Sequence, residues 1–426
     1  MSASPSVAGP GAVQAADRLG PAAWQRWTYI AVGIFFLLGL VRWMSGNDDL
    51  TSSGTFGTAL RLAVPIGLAA LGGIYSERSG IVNIGLEGMM ILGTWFGAWG
   101  AWEYGPWWGV LIGVLAGAAG GLLHATATVG FNVDHIISGV AIITLGGGVA
   151  RYLSVEVYEG VQGAGATQSP RVDDVGDFSM PVLSGGWDTP DVLGRIEDWG
   201  WLFVSDVAAV MRGLTANLSY LTIIALLLVP FTWWLLWRTV FGLRLRSCGE
   251  NPTAADTLGV NVYRMKFAGV VISGALAGLA GAFLAIEAAS IYRQGQTGGR
   301  GFIGLAAMIF GNWKPFGAAA GAGLFGFADA LQLRDPRAVH SLLLFVTLAG
   351  VALTIFLFLR GQRNNAIASA VLTGLVALWY FTSDAIPVEF VNMTPYVVTL
   401  IVLALATQRL RMPAADGMRW RKGQVE

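Results

Sequence analysis

Long apolar stretches separated by short polar ones run through the chain from about residue 27 onward. Crossing the hydrocarbon core of a bilayer as a helix takes about 20 mostly apolar residues. Stretches of that kind lie at 27–44, 57–75, 81–101, 107–129, 135–154, 216–237, 264–286, 316–333, 338–359, 366–383 and 394–410. The piece 302–311 has half the length and runs into Gly311-Asn312-Trp313-Lys314-Pro315. It reads as a broken or re-entrant helix, whose open backbone is tolerated only where protein or a water-filled path covers it. The pattern predicts an all-α polytopic membrane protein with about 10–12 transmembrane segments, one of them broken.

Arginine placement gives these spans a direction, because basic residues collect on the cytoplasmic side. Segment 238–266 holds Arg238, Arg244, Arg246, Arg264 and Lys266, and the end of the chain holds Arg409, Arg411, Arg419, Arg421 and Lys422. The connection 155–215 is acidic, with ten Asp and Glu against Arg171, Arg195 and Arg212. Basic segments inside and 155–215 outside leave both termini cytoplasmic. The parity closes if 302–333 enters from outside, turns at Lys314-Pro315 and returns.

Composition agrees with a lipid environment. Charged residues make up 12% of the chain, against roughly 25% in a soluble domain. The 59 glycines permit close helix approach, and the 17 tryptophans suit the headgroup boundary. The single cysteine, Cys248, excludes an internal disulfide framework and a cysteine-based metal cluster. Residues 1–26 are rich in Ala, Gly, Pro and Ser and are expected to be a disordered cytoplasmic terminus. The transmembrane body is expected over 27–410, with a retained first helix rather than a cleaved signal, and a cytoplasmic tail over 411–426.

Two stretches echo each other. Ile84-Gly85-Leu86-x-x-Met89 recurs as Ile303-Gly304-Leu305-x-x-Met308, and each follows a small-residue span, Leu68–Gly73 and Leu276–Gly281. In the threading above they run in opposite directions, which describes an inverted-topology repeat with the path at the interface of its halves. Chance is the alternative, since Gly, Ala and Leu dominate the composition. The connector 238–263 carries a second pattern. Asn251 suits a helix cap, Pro252 the first helical position, and Gly259 the left-handed residue that ends a helix after about two turns. Ala254 and Ala255 would leave one side of this short helix slim enough to enter a partner's groove. The alternative is a basic loop lying on lipid headgroups.

The connector, Tyr75–Met90 and Gly298–Gly317 together resemble the permease subunits of ABC importers that carry simple sugars, nucleosides and branched-chain amino acids, the nucleoside-type members above all. The resemblance covers roughly 57–155, 238–333 and 387–426. The added pair of spans at 338–383 departs from it, and a peripheral position is expected for that pair. The resemblance implies that two permease subunits, alike or different, enclose a path, that two cytoplasmic ATPases dock on the coupling segments, and that an extracytoplasmic binding protein delivers the solute. The coupling residues would be Gly249, Glu250, Asn251, Pro252, Thr253, Ala254, Ala255, Asp256 and Gly259. No G-x-x-x-x-G-K-[ST] phosphate loop occurs in the chain. It is expected to bind no cofactor of its own, ATP being the partner's. Nothing in it points to nucleic acid.

Asn83, Gly85, Glu87, Phe302, Gly304 and Asn312 are the candidates for the translocation path. Charges in spans are costly and face a path or a partner. Glu87 either lines a weakly polar route with Asn83, or pairs with Arg61 or Arg78 to brace a broken helix. His124, Asp134 and His135 lack metal-site spacing, and Phe131-Asn-Val-Asp-His135 reads as a capped turn at the membrane surface. No Ser/His/Asp or Cys/His arrangement suggests an enzyme. The expected function is inward movement of nucleosides or similar neutral polar solutes. A simple sugar of the pentose type is the nearest alternative, and an ion-coupled secondary transporter a more distant one.

Overall fold

The computed structural model describes residues 21–334, 336–383, 386–387, 390, 393 and 410–423. The first twenty residues and the last expected span, 394–410, lie outside them apart from Leu410. Helices account for nearly all regular structure: α1 Pro21–Ser45, α2 Ser53–Arg78, α3 Leu86–Tyr104, α4 Pro106–Ala125, α5 His135–Tyr158, α6 Val192–Glu197, α7 Val204–Gly213 and α8 Tyr220–Arg238. They continue as α9 Val240–Glu250, α10 Pro252–Thr257, α11 Val262–Phe283, α12 Arg300–Phe310, α13 Pro315–Gln332, α14 Pro336–Leu359 and α15 Arg363–Thr382. Two-residue strands, β1 (Asp177–Phe178) and β2 (Leu218–Ser219), pair antiparallel and tie the acidic connection to the foot of α8.

The first ten expected spans each coincide with a helix. Among the described residues, seven helical segments are long and apolar enough to cross a membrane, including α2, α4, α5, α8, α11, α14 and α15. Helices α1, α3 and α13 complete the set; glycine and polar residues dilute the last two. Residues 81–85 are not helical as expected, and α3 begins only at Leu86. The connector holds more helix than its pattern suggested. Thr239 Oγ1 accepts from Gly242 N and starts α9, which folds tightly back on the backbone of Leu235 and Leu236.

The helix starts are written locally. Ser52, Asp134, Ser219, Asn251 and Asn261 each accept a backbone N–H in the first turn that follows, satisfying donors no intrahelical carbonyl can reach. The core is built differently, on α2, α3, α4 and α11. At Gly93, Gly117, Gly274 and Gly278 the facing backbones of α3, α4 and α11 come so close that a Cβ on any of them would collide with a carbonyl or Cα opposite. Only hydrogen fits there. Without a hydrophobic force between helices in lipid, this backbone contact holds them together. The pair α14–α15 packs mainly on itself, touches α1 and α13, and is otherwise exposed, so it sits at the periphery as expected.

Among the described residues, most connections fall into two layers. Residues 76–85, 124–135, 238–261, 311–315 and 410–423 share one face; residues 46–53, 159–219, 288–299 and 333–334 share the other.

Candidate functional site

Two interrupted segments form the centre of the molecule. After α2 the chain turns at Gly80, whose φ of +87° favours glycine, and climbs back as the extended piece Ile81–Gly85. Ser76 Oγ donates to Ile81 O at 2.6 Å. Val82 is gripped from both sides, its carbonyl 3.2 Å from His124 Nε2 and its N–H donating to His135 Nδ1 at 3.4 Å. Asn83 Nδ2 donates to Ser273 Oγ at 3.0 Å, halfway along α11. Helix α3 therefore begins midway along α11 rather than at its end. The two histidines serve this extended strand. Among the described residues, no three of His, Cys, Asp and Glu approach closely enough to hold a metal ion. Asp134 caps α5 through Ile136 N and Ile137 N, as its position implied, and those N–H groups hold its carboxyl below the usual range.

The second interruption is α12. It has 11 residues, about 16 Å at 1.5 Å per residue, and starts midway along α2: Gly304 lies against Ile66, Ala69 and Ala70. Glu87 joins the two starts. Its Oε1 accepts from Gly299 N at 3.0 Å and its Oε2 from Gly301 N at 2.7 Å. The carboxylate thus sits in the first turn of α3 and on the first turn of α12, where two sets of unpaired N–H groups and two positive dipole ends converge. One negative charge satisfies both. Bracing is what Glu87 does, but with backbone donors in place of the expected Arg61 or Arg78.

The sequence echo has a physical counterpart. Gly73, in the α2 copy, packs on Met308 of α12, and Gly281, in the α11 copy, packs on Met90 and Thr94 of α3. Each small-residue helix holds the other copy's broken segment, so the two halves are interlocked. Five of the six expected path residues, Asn83, Gly85, Glu87, Phe302 and Gly304, lie at the joined starts of α3 and α12, and Asn312 lies apart from them. Asn83, Gly85, Glu87 and Gly304 are buried in helix contacts, Phe302 is exposed, and Asn312 Oδ1 accepts from Arg411 N at 2.8 Å on the basic face.

On that face α12 ends at a hub. Trp313 Nε1 donates to Glu77 Oε2 at 2.6 Å, and Arg78 donates to Trp313 O. Arg78 also reaches Glu250 at 3.7 Å and lies over the Trp237 ring. Residues 410–423 then run across this hub. Ala415 N donates to Gly249 O at 2.8 Å, Trp420 Nε1 to Thr253 Oγ1 at 3.2 Å, and Arg419 pairs with Asp134 at 3.2 Å. Asp416 is buried beside Glu77; burial first, then the neighbouring carboxyl, pushes it up to about 9. No local pattern marks this clasp, because its partners lie far away along the chain.

Helix α10 projects from the hub with the caps its sequence called for. Asn251 Oδ1 accepts from Ala254 N at 2.8 Å, Pro252 is the first helical residue, and Gly259 takes φ +84°. One detail is reversed. Ala255 is 3% exposed, packed with Cys248, Val262 and Trp420, and so belongs to the supported side. The free side carries Thr253, Ala254, Thr257 and, at its tip, Leu258, which is 85% exposed. An apolar side chain is thus held far out on a capped, buttressed turn, which residue type alone did not reveal. On the opposite face, a cavity of about 520 Å³ opens between the start of α2, the 212–219 segment and the foot of α8.

Comparison with known proteins agrees with this architecture. The guanosine ABC transporter permease protein NupQ of Bacillus subtilis is 35% identical over 369 residues, 85% of this chain and 94% of its own length. The nucleoside ABC transporter permease protein NupC of Lactococcus lactis subsp. cremoris is also 35% identical over 369 residues, covering 85% of this chain and 95% of its own. The putative glucose ABC transporter permease protein TsgC13 of Haloferax volcanii is 32% identical over 301 residues, 70% of this chain and 83% of its own. No solved structure matches. The family model for the permease component of branched-chain amino acid transport systems matches residues 55–352, from the first turn of α2 into α14. A multi-pass bundle with interlocked half-helices, matched over well more than half its length, the chain belongs to that family of permease components and is a transport component rather than an enzyme.

Proposed function

We propose that this chain is the membrane subunit of an ATP-driven importer of nucleosides in a bacterial plasma membrane, with the basic face and both termini in the cytoplasm. The observation that carries the substrate class is the likeness to two named nucleoside permeases, at equal identity and over nearly their whole length. The mechanism rests on α10. A short helix capped at both ends and buttressed by α9, α11 and the 410–423 segment moves as one body with the helices behind it, so a push on Leu258 and Ala254 is passed to the hub at Glu77, Arg78 and Trp313. From there it reaches α12, and through Gly301 and Glu87 the start of α3. ATP is hydrolysed on a separate chain, since this one has no phosphate loop. A second permease subunit completes the path, and a binding protein delivers solute to the acidic face.

Within this reading the exposed Phe302 faces the path, while Asn83, Gly85, Glu87 and Gly304 hold the half-helices that shape it. The similarity to a putative glucose permease keeps a simple sugar as the second reading. Co-expression with a cognate ATPase and binding protein, followed by uptake of labelled guanosine and labelled ribose into ATP-loaded vesicles, separates the two. ATP-dependent guanosine uptake is expected. Uptake of ribose alone, or uptake that survives ATP depletion on an ion gradient, overturns the proposal.

A further inference from the structure

The cavity on the acidic face has a polar wall that neither the family nor the path residues explain. Thr58 and Arg61 of α2, Asn217, Ser219 and Thr222 before and in α8, and Ala288 line it. Ala288 ends a π-helical turn, Leu284–Ala288, that continues α11. A π turn inserts one residue into the helical repeat and redirects the side chains that follow, and such turns recur at functional sites. The side chain it redirects is Glu287. This carboxylate is 7% exposed and lies just behind the wall formed by Ala288 and Ser219; its Oε2 is buried with no well-formed hydrogen bond among the described residues, the Ser219 hydroxyl being the side-chain donor that faces it. The groups facing it are Asp174 and Asp177 of the acidic connection, Arg61, and Ser219, the last two of which also line the cavity.

A buried acceptor left without a donor is costly, and native structures retain one where a ligand supplies the missing partner. A carboxylate presents two acceptor oxygens in one plane, which matches two adjacent hydroxyls. The rest of the wall offers donors and acceptors with two arginines, Arg61 and Arg212, the second already paired with Asp191 and Glu197; this suits a neutral polar solute, and the volume lies in the range that encloses small ligands. Resting on the nucleoside reading above, we infer that Glu287, with Arg61, Ser219 and Thr222 beside it, forms a solute site at the outer mouth that grips the vicinal hydroxyls of a ribose ring. The site thereby selects ribonucleosides over sugars or bases that lack the diol.

The test uses the assembled transporter in ATP-loaded vesicles, with labelled guanosine and labelled 2′,3′-dideoxyguanosine at limiting concentration. Wild type is expected to prefer guanosine, and Glu287→Gln to shrink that preference about tenfold at equal membrane abundance. A preference unchanged by Glu287→Gln, or a wild type that takes up both solutes equally, overturns the assignment. Should Glu287→Gln not reach the membrane, Thr58→Cys, on the partly exposed wall of the same cavity, decides: its labelling by a membrane-impermeant maleimide is slowed by guanosine and not by the dideoxy compound, while equal protection or none overturns it. The native Cys248 is buried and does not compete. Wild-type uptake separates the two claims. If no nucleoside enters at all, the substrate reading fails; if guanosine enters without discrimination, only the Glu287 site fails.

Discussion

Glu87 and Gly301 touch through both backbone and side chain: the carboxylate accepts the Gly301 N–H at 2.7 Å, and the Glu87 Cα lies 2.7 Å from where a Cβ on residue 301 would stand. The contact fastens the first turn of α12 to the first turn of α3. It is the point at which the two interrupted segments become one structure.

Gly301→Ala is therefore expected to destabilise the protein by about 1–3 kcal/mol, because the clash is with backbone that has nowhere to go. Glu87→Ala removes the acceptor from two N–H groups, that of Gly301 buried and that of Gly299 half-buried, and a charged hydrogen bond contributes roughly 1.5–3 kcal/mol. Glu87→Gln keeps one acceptor and should fall between Glu87→Ala and wild type. Thermal unfolding of the purified protein in detergent checks the order; a Glu87→Gln as unstable as Glu87→Ala would refute the bonding scheme.

Docking of residues 410–423 should depend on pH through Asp416. Its ordinary value of 3.8 is raised to about 9 when buried beside Glu77. The docked form therefore holds a proton that the free form releases, and docking is strongest below about pH 3.8, weakens as pH climbs, and has lost this contribution once pH passes about 9. Limited proteolysis between pH 6 and 10 should cut the segment faster at the alkaline end. Asp416→Asn should flatten that dependence, and an equally steep profile in the variant would assign it elsewhere.

The exposed side of α10 predicts which substitutions uncouple and which unfold. Leu258→Asp changes an 85% exposed tip and should leave yield and melting unchanged while breaking the link between ATP hydrolysis and uptake. Ala255→Glu forces a charge among Cys248, Val262 and Trp420 and should lower the amount of folded protein instead. Normal coupling in Leu258→Asp would remove α10 from the transmission path.

Cys248 reports on the same region. It is fully buried, and burial pushes its thiol up to about 11, so little reactive thiolate is present at neutral pH. Maleimide labelling should be negligible in the folded protein. Trp420→Ala, which uncovers the cluster, should speed it several-fold, and no change would mean that Trp420 does not seal the site.

What the sequence disclosed was whatever is encoded within a few residues. The spans followed from runs of apolar residues, and α10 from Asn251, Pro252 and Gly259, whose capping geometry needs no distant partner. The sidedness of α10 was misread because Val262 and Trp420, not the helix itself, decide which alanine is covered. Glu87 was marked as costly, but its partners lie 212 and 214 residues away on a helix start, and backbone donors leave no trace in residue type. The internal echo was legible as repetition, while its meaning, that each half holds the other's broken segment, needed the packing of Gly73 on Met308 and of Gly281 on Met90.

The clasp also orders events during synthesis. Ala414 bonds Glu250 across 164 residues, and α11 to α15 lie between them, so the knob emerges long before the segment that steadies it. Closing so long a loop is slow. The inner surface can be finished only after the second half of the bundle has been threaded, and until then α10, six residues long, lacks the contacts from 410–423 that seat it.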